Sequence, residues 1–408
     1  MKDLSEPVAQ LTSNTLPLPT PDDLVERLQA SGLRGRGGGW FPAGRKWRAV
    51  RVEEGEPIVV ANGAEGEPGS FKDRYVMTRR ADDVVRGLSL AARAVGAREA
   101  IVFLKSSFER PAAALEAALG SAELDGLAVT LRRGDDSYIV GEETALLESL
   151  EGRRAWPRPK PPLPPAVGLE GRPTLVQNVE TLARVPAAVE DPESFRASES
   201  TLVTLWGDVR RPGVYEVPLG TPLSHVIENQ GGGAPDGVGL VFPGGPAGPP
   251  LGPGELDTPL DPQALRDAGS ALGAAALLVV GASACPLAVA ASVTAFFERE
   301  NCGQCPPCAV GTASLARVFR TLESGGARPR DLRDLADVAG FMSHHGYCAH
   351  CGSAAAVATG LARRHSEAVE IHVREGRCPD PDRRHPDPFA PGSPERETLE
   401  KAVEEQLP

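Results

Sequence analysis

A layered α/β domain, then a small β-rich module, then a helical C-terminal region is the architecture predicted for this 408-residue chain. Three observations carry that reading. Short β-branched runs alternate with amphipathic stretches up to about residue 190, an Arg-Pro-Gly turn separates two alternating runs after Thr201, and helical patterning dominates from Cys285 to about His372. Chain length independently asks for two or three domains.

Taken in order, residues 1–20 show no periodicity, end in LPLPTP and read as a flexible arm. PDDLVERLQA begins a short helix at proline, where the missing N–H costs nothing. The glycine-rich loop SGLRGRGGGWFPAGRKW follows, and EPIVVAN (56–62) is a short strand ending in the polar loop NGAEGEPGSFKDR. ADDVVRGLSLAARAVGA sets Val84, Leu88, Ala91 and Val95 on one helical face. AREAIVFLKSS and LAVTLRR read as further strands, and GDDSYIVGEETALLESLEG as an acidic loop entering a helix. WPRPKPPLPP is too rich in proline for either regular element and reads as an extended strap. TLVTLWGDVRRPGVYEVPLG reads as a hairpin, and with TPLSHVIENQ and GVGLVFPGG it suggests a β-grasp-like module. The resulting division is 21–198, 199–284 and 285–376, with 377–408 expected to be a disordered tail because of its proline and charge content.

Composition narrows the function classes. A net charge of −12 argues against a nucleic-acid partner, which needs a basic face. No run approaches the roughly twenty apolar residues of a membrane span, and the N-terminus has no apolar signal core, so a cytoplasmic location is expected.

Two motifs carry chemistry. Consecutive amides of the glycine loop, with Arg36, Arg45 and Lys46, suit phosphate oxygens. ENCGQCPPC spaces Cys302, Cys305 and Cys308 two residues apart, so that each short loop returns the next sulfur to the same side. Cys348 or Cys351 supplies a remote fourth ligand, the arrangement of a cubane iron–sulfur site. Zinc is the alternative, although structural zinc usually takes two separated ligand pairs. Cys285 and Cys378 have no partner at ligand spacing, and Cys285 reads as a small buried hydrophobe.

With both motifs in hand, the chain resembles the NADH- and FMN-binding flavoprotein subunit family of respiratory complex I, which includes subunits of NAD-linked hydrogenases and formate dehydrogenases. RGRGGGWFPAGRKW, EGEPGSFKDR, YIVGEETALLESLEG, GRPTLVQNVETLA and CGQCPPC match in the family's order over about residues 25–375. The resemblance implies a Rossmann-like α/β flavin domain, a ubiquitin-like β-grasp domain of the SLBB type and a C-terminal helical bundle carrying a [4Fe–4S] cluster. It implies an oxidoreductase that passes electrons from NADH through FMN to iron–sulfur centres, so the cofactors are FMN, [4Fe–4S] and NAD(H). A small iron–sulfur or thioredoxin-like subunit, or a ferredoxin, would be the partner.

By the same resemblance, Gly35, Arg36, Gly37, Gly38, Phe41, Lys46 and Lys160 line the flavin and nucleotide cleft. Asn62, Glu65, Glu67, Tyr138, Gly141, Glu142, Glu143, Asn178 and Thr181 complete it. Glu67 and Lys46 are the catalytic candidates, and Cys302, Cys305, Cys308 and Cys348 the metal ligands, with Cys351 the alternative fourth. Trp40, Ala49, Ala64, Leu163 and Gln177 depart from the family pattern, mostly where the dinucleotide binds. Two lost adenine-stacking rings predict NADH binding weaker by about 10²–10⁴-fold. The Trp40 indole is expected either in the nucleotide slot or stacked on adenine.

Overall fold

The computed structural model describes residues 20–343, 345–378, 380 and 382–407, so the arm expected at 1–20 lies outside it except for Thr20. Thr20 starts the first element. Its side chain accepts the Asp23 N–H at 3.2 Å while Asp23 Oδ2 accepts the Thr20 N–H at 3.1 Å, a reciprocal cap on the helix Pro21–Ser31.

Four parallel strands form the first sheet: β1 (Ile58–Gly63), β2 (Glu99–Lys105), β3 (Ala128–Gly134) and β4 (Thr174–Asn178), in the spatial order β3-β2-β1-β4. The β1 run IVVANG is nearly continuous in apolar residues because both of its faces are covered. The helix Ala81–Val95 buries Val84, Leu88, Ala91 and Val95 as its periodicity requires, and packs across the helix Val179–Glu190. At that crossing a Cβ on Gly87 would stand 1.9 Å from the Leu182 carbonyl oxygen, so only glycine lets the two helices meet. Strand order reverses at β1, with β2 on one side and β4 on the other. The connections leaving the carboxyl ends of β1 and β4 therefore diverge, which opens a crevice in a sheet of this kind.

The second sheet is mixed. β5 (Ser200–Gly207) and β6 (Gly213–Pro218) make the hairpin foreseen around the Arg-Pro-Gly turn, while β7 (Val238–Pro246) and β8 (Ala276–Gly281) complete the order β6-β5-β8-β7. The central pair β5–β8 is parallel, in register from Thr204 opposite Ala276. Beyond it come the helices Pro286–Glu300, Pro306–Glu323, Pro329–Met342, Ala349–Arg364 and Ser366–Glu375, three of them opening on proline. Among the described residues, no helix is long and apolar enough to cross a membrane.

The disordered tail expected over 377–408 is a correction. Phe389 is fully buried, with ring centroids 5.5 Å from Phe242 and 6.2 Å from Trp206. Its N–H donates to Ser292 Oγ at 3.1 Å, and the helix Pro394–Gln406 buries Leu399 and Val403. Gln406 Oε1 accepts the Val214 N–H at 2.8 Å, completing an edge of β6. A handful of apolar anchors thus outweighs a proline-rich, charged composition.

Candidate functional site

The carboxyl ends of β1 and β4 open onto a cleft with about 860 Å³ of free space, open solvent included. β1 runs into Ala64–Glu67, and β4 ends at Asn178, the cap of Val179–Glu190. Asn178 Oδ1 accepts the Glu180 N–H at 2.9 Å and the Thr181 N–H at 3.3 Å, while its amide donates to Asp73 at 2.8 Å. Asn62 donates to the Gly141 carbonyl at 2.9 Å and accepts from the Ala64 N–H at 3.1 Å, tying the strand end to the Tyr138–Glu142 wall. Gly37 closes another side, close enough that a Cβ would meet Asn178 Cβ at 3.3 Å. At the far end stand Cys348, Ala349 and His350.

Beneath the cleft lies a buried ion network. Lys72 Nζ is 2.6 Å from Asp73 and 3.2 Å from Glu180, and Arg184 donates to Glu180 at 3.0 Å. Burial opposes the Lys72 charge, but Asp73, Glu180 and Glu65 more than offset it and hold its pKa above the ordinary lysine range. Burial pushes Asp73 up to about 6, with Lys72 opposing. Glu65 is fully engaged by Ser70, by the Asp73 N–H and by Arg74 at 2.6–3.0 Å. Burial would raise its pKa, yet Arg74 and Lys72 keep it below the ordinary value.

Glu67 is different. Tyr138 Oη donates to its Oε2 at 3.2 Å, whereas the buried Oε1 has no partner. Burial pushes its carboxyl up to about 7, with the Tyr138 hydrogen bond opposing only in part. Because the folded pKa lies above the ordinary value of 4.5, the stability linked to the neutral acid is full below about pH 4.5 and is lost as pH rises through 7. FMN-free wild type is therefore expected to lose roughly 2 kcal/mol relative to Glu67→Gln between pH 5 and 8. Urea unfolding of both proteins across that range checks this, and parallel pH profiles would refute it.

The remaining candidates sort by position. Arg36, Gly37, Asn62, Glu65, Glu67, Tyr138, Gly141, Glu142, Asn178 and Cys348 line the cleft. Lys46, Glu143 and Lys160 do not line it. With Glu142 they form an ion cluster, Lys46–Glu143 at 2.9 Å and Lys160 at 2.8 and 3.0 Å from Glu142 and Glu143. Burial works against the Glu143 charge, but Lys46 and Lys160 hold its pKa down at about 2. Gly35, Gly38, Phe41 and Thr181 also lie off the cleft wall. Gly35 donates to the Phe41 carbonyl at 2.8 Å, Phe41 is exposed, and Thr181 Oγ1 accepts the Arg36 N–H at 2.8 Å. Gly38 takes φ 102°, and a Cβ there would lie 3.8 Å from Gly273. The Arg36 guanidinium turns inward to Glu199 at 2.8 Å, leaving mainly its backbone to the cleft.

Trp40 corrects both expectations for it. With φ 52° it swings into the core of the second sheet, donates from Nε1 to the Gly273 carbonyl at 2.8 Å and lies 4.4 Å beneath Arg36. It does not line the cleft. Residues not singled out from sequence include Lys72 and Asp73, which lie in the stretch NGAEGEPGSFKDR read as a polar loop. His350 pairs through Nε2 with the Phe297 carbonyl at 2.9 Å, while its buried Nδ1 has no partner among the described residues.

The cysteines gather at two helix starts. Cys305 caps Pro306–Glu323, with Cys308 in its first turn, and Cys348 caps Ala349–Arg364, with Cys351 one turn in. Trp156 of the proline strap donates to the Cys302 carbonyl at 3.2 Å and roofs the loop. All these thiols are free. Among the described residues, no three of the sulfurs of Cys302, Cys305, Cys308 and Cys348 lie within 4.8 Å of one another. Three thiols at two-residue spacing and a fourth capping a second helix are the donor set of a cubane iron–sulfur cluster. Burial pushes Cys348 up to about 12, so it needs a bound cationic centre to hold it as thiolate. The cleft fits a flavin equally: it has an unpaired buried acceptor, backbone approach at Gly37 and polar groups from two strand ends.

Such a cleft, sharing a wall with a cysteine cluster, defines a flavin- and iron–sulfur-binding oxidoreductase subunit. Known proteins agree. Residues 28–187 match the family model described as the Nuo51 FMN-binding domain, 202–248 the SLBB domain, and 288–372 the NADH-ubiquinone oxidoreductase-F iron-sulfur binding region. The chain is 39% identical over 383 residues to the second F-type NADH-quinone oxidoreductase subunit of Rhizobium meliloti (strain 1021), covering 88% of this chain and 91% of that one. It is 36% identical to the F-type NADH-quinone oxidoreductase subunit of Streptomyces coelicolor, covering 88% and 85%. An NAD+-reducing [NiFe]-hydrogenase in the H2-reduced state superposes with a TM-score of 0.81 at 34% identity, over 86% of this chain and 63% of that chain, less than two thirds of its length. The chain belongs to the family of F-type NADH-quinone oxidoreductase subunits, and it carries an FMN-binding domain and an iron–sulfur binding region.

Proposed function

We propose that this chain is the electron-input subunit of a larger oxidoreductase, taking electrons from NADH and passing them through FMN to a [4Fe–4S] cluster. The observation that carries it is that Cys348 lines the same cleft as Asn62 and Glu67, so cluster and flavin sites share one wall. Bound FMN would accept an electron pair and release single electrons to the cluster.

The chain's own groups set the conditions for that exchange. Gly37, Asn62, Gly141 and Asn178 orient the ring and phosphate from strand ends and helix caps. Glu67 holds a proton near neutral pH, with Tyr138 donating to its Oε2. Tyr138 and His350, 5.6 Å apart between ring centroids, keep water out of the wall towards the cysteines. Lys46 acts at the rim rather than the ring, and Cys302, Cys305, Cys308 and Cys348 hold the cluster.

The domain division supported by these features is a Rossmann-like flavin domain at 21–198, a β-grasp domain at 199–284 and a helical cluster-binding bundle at 285–376. The parallel sheet order and the β6-β5-β8-β7 order with a parallel central pair support the first two. A single iron–sulfur cluster requires an acceptor elsewhere, so an iron–sulfur or thioredoxin-like subunit, or a ferredoxin, is the proposed partner. Few cysteines, three of them at ligand rather than disulfide spacing, favour a cytoplasmic setting for this chain. Trp40 is buried off the cleft in the core of the second sheet, and Leu163 is exposed.

Anaerobic NADH titration of protein reconstituted with FMN, iron and sulfide tests the proposal. Flavin bleaching followed by a reduced-cluster electron paramagnetic resonance signal is expected, with NADH affinity weakened by about 10²–10⁴-fold relative to a sequence restoring both rings. Iron loading without FMN uptake, or no bleaching at millimolar NADH, would overturn it.

A further inference from the structure

Three side chains outside the flavin and cluster site converge from separated positions. Cys285 begins the helix Pro286–Glu300, His372 lies in Ser366–Glu375, and Cys378 follows that helix. One ligand atom from each lies within 4.8 Å of the other two; Cys285 and His372 are buried and Cys378 partly so. The imidazole is oriented for coordination. His372 Nδ1 is 2.8 Å from the Ala368 carbonyl, which can only accept, so Nδ1 carries the proton and Nε2 turns its lone pair to Cys285 Sγ at 3.7 Å. Tetrahedral zinc, with Zn–S near 2.3 Å and Zn–N near 2.0–2.1 Å, places such a sulfur and nitrogen about 3.6 Å apart.

We propose that Cys285, His372 and Cys378 form a structural site for zinc, with solvent in the fourth position. Two thiols and an imidazole select a borderline-soft divalent ion over calcium or magnesium, which require oxygen donors. Binding releases the two thiol protons to solvent and changes no oxidation state. The site lies where the tail rejoins the body. The Cys285 N–H donates to the Arg384 carbonyl at 2.8 Å, and the Arg384 N–H to the Ser283 carbonyl at 3.0 Å. A metal here clips the segment carrying Phe389 and Pro394–Gln406 to the start of Pro286–Glu300, the helix whose end feeds the cluster loop.

The test uses full-length holoprotein, kept in reductant, incubated with Zn²⁺ and desalted. Wild type should retain about one zinc per chain besides its iron, and zinc-edge X-ray absorption should show sulfur and nitrogen neighbours. Cys378→Ala, at a partly exposed position, should lose zinc affinity at least tenfold, on the order of a lost ligand. Its iron and flavin content should stay unchanged, and cleavage after Arg377 should accelerate. Cys378→His, which keeps a donor, should retain the metal. Zinc retention equal in wild type and Cys378→Ala would overturn the site, as would a Cys285–Cys378 disulfide in the reductant-treated wild type.

Discussion

Cys348→Ser is expected to leave the chain without its cluster, whereas Cys351→Ser keeps it. Both thiols lie near the triplet, so the distinction rests on where each points. Cys348 caps Ala349–Arg364 with extended backbone, is partly exposed and lines the cleft. Cys351 is buried one turn in, and its Sγ donates to the Met342 carbonyl at 3.3 Å. Its other close neighbour is the Cys308 thiol, whose pKa that contact raises, together with burial. Cys348 stands on the cleft wall, whereas Cys351 is turned to the Met342 carbonyl and the Cys308 thiol, away from that wall. Serine is a poor ligand because its hydroxyl does not ionise near neutral pH, so iron and sulfide content should fall at least tenfold in Cys348→Ser, the scale of losing a direct ligand. Reduced-cluster signal and flavin reoxidation by an artificial acceptor should be lost with it. The reverse pattern, Cys351→Ser without iron and Cys348→Ser with it, would exchange the two assignments.

Local periodicity made much of the scaffold legible. β1 to β3, the helix Ala81–Val95 and the β5–β6 hairpin each carry a run long enough to state its own period. β4 and β8 do not: TLVQN holds only two adjacent apolar residues, ALLVVG is a six-residue apolar run that a helix core shares, and only pairing with β1 and β5 makes them strands. The triplet cysteines were legible because their spacing alone brings the sulfurs together. Cys285, His372 and Cys378 were not, since 87 residues separate the first two and only the fold joins them. Arg36 and Trp40 mark another limit. A glycine loop announces backbone approach to a ligand, but nothing local says that its arginine will turn inward to Glu199 and its tryptophan into the second sheet. Nothing in the sequence singles out Lys72, Asp73 and Glu180, because burial is a property of the packed whole.

Glu180→Ala should be among the most damaging substitutions in the chain, costing about 3–5 kcal/mol. Glu180 is 1% exposed and answers Lys72 at 3.2 Å, Arg184 at 3.0 Å and the Leu202 N–H at 3.1 Å, with Arg36 4.0 Å away. Removing it leaves three buried cations sharing a much smaller negative charge, and desolvated cations without a partner carry the larger penalty. Glu180→Gln should be milder at low pH. Burial works against the Glu180 charge, but Lys72, Arg184 and Arg36 hold its folded pKa at about 2, below the ordinary 4.5. The wild-type advantage over Glu180→Gln is therefore full above pH 4.5 and fades as pH falls towards 2. Denaturant unfolding at pH 7 and near pH 3 separates this from simple cavity formation, which would cost the same at both. The effect should also reach the cleft, because Lys72 freed from Glu180 leans wholly on Asp73, the acceptor that orients Asn178. FMN release should then quicken in Glu180→Gln even where the protein stays folded. Unchanged flavin affinity would mean that the ion network supports the fold alone.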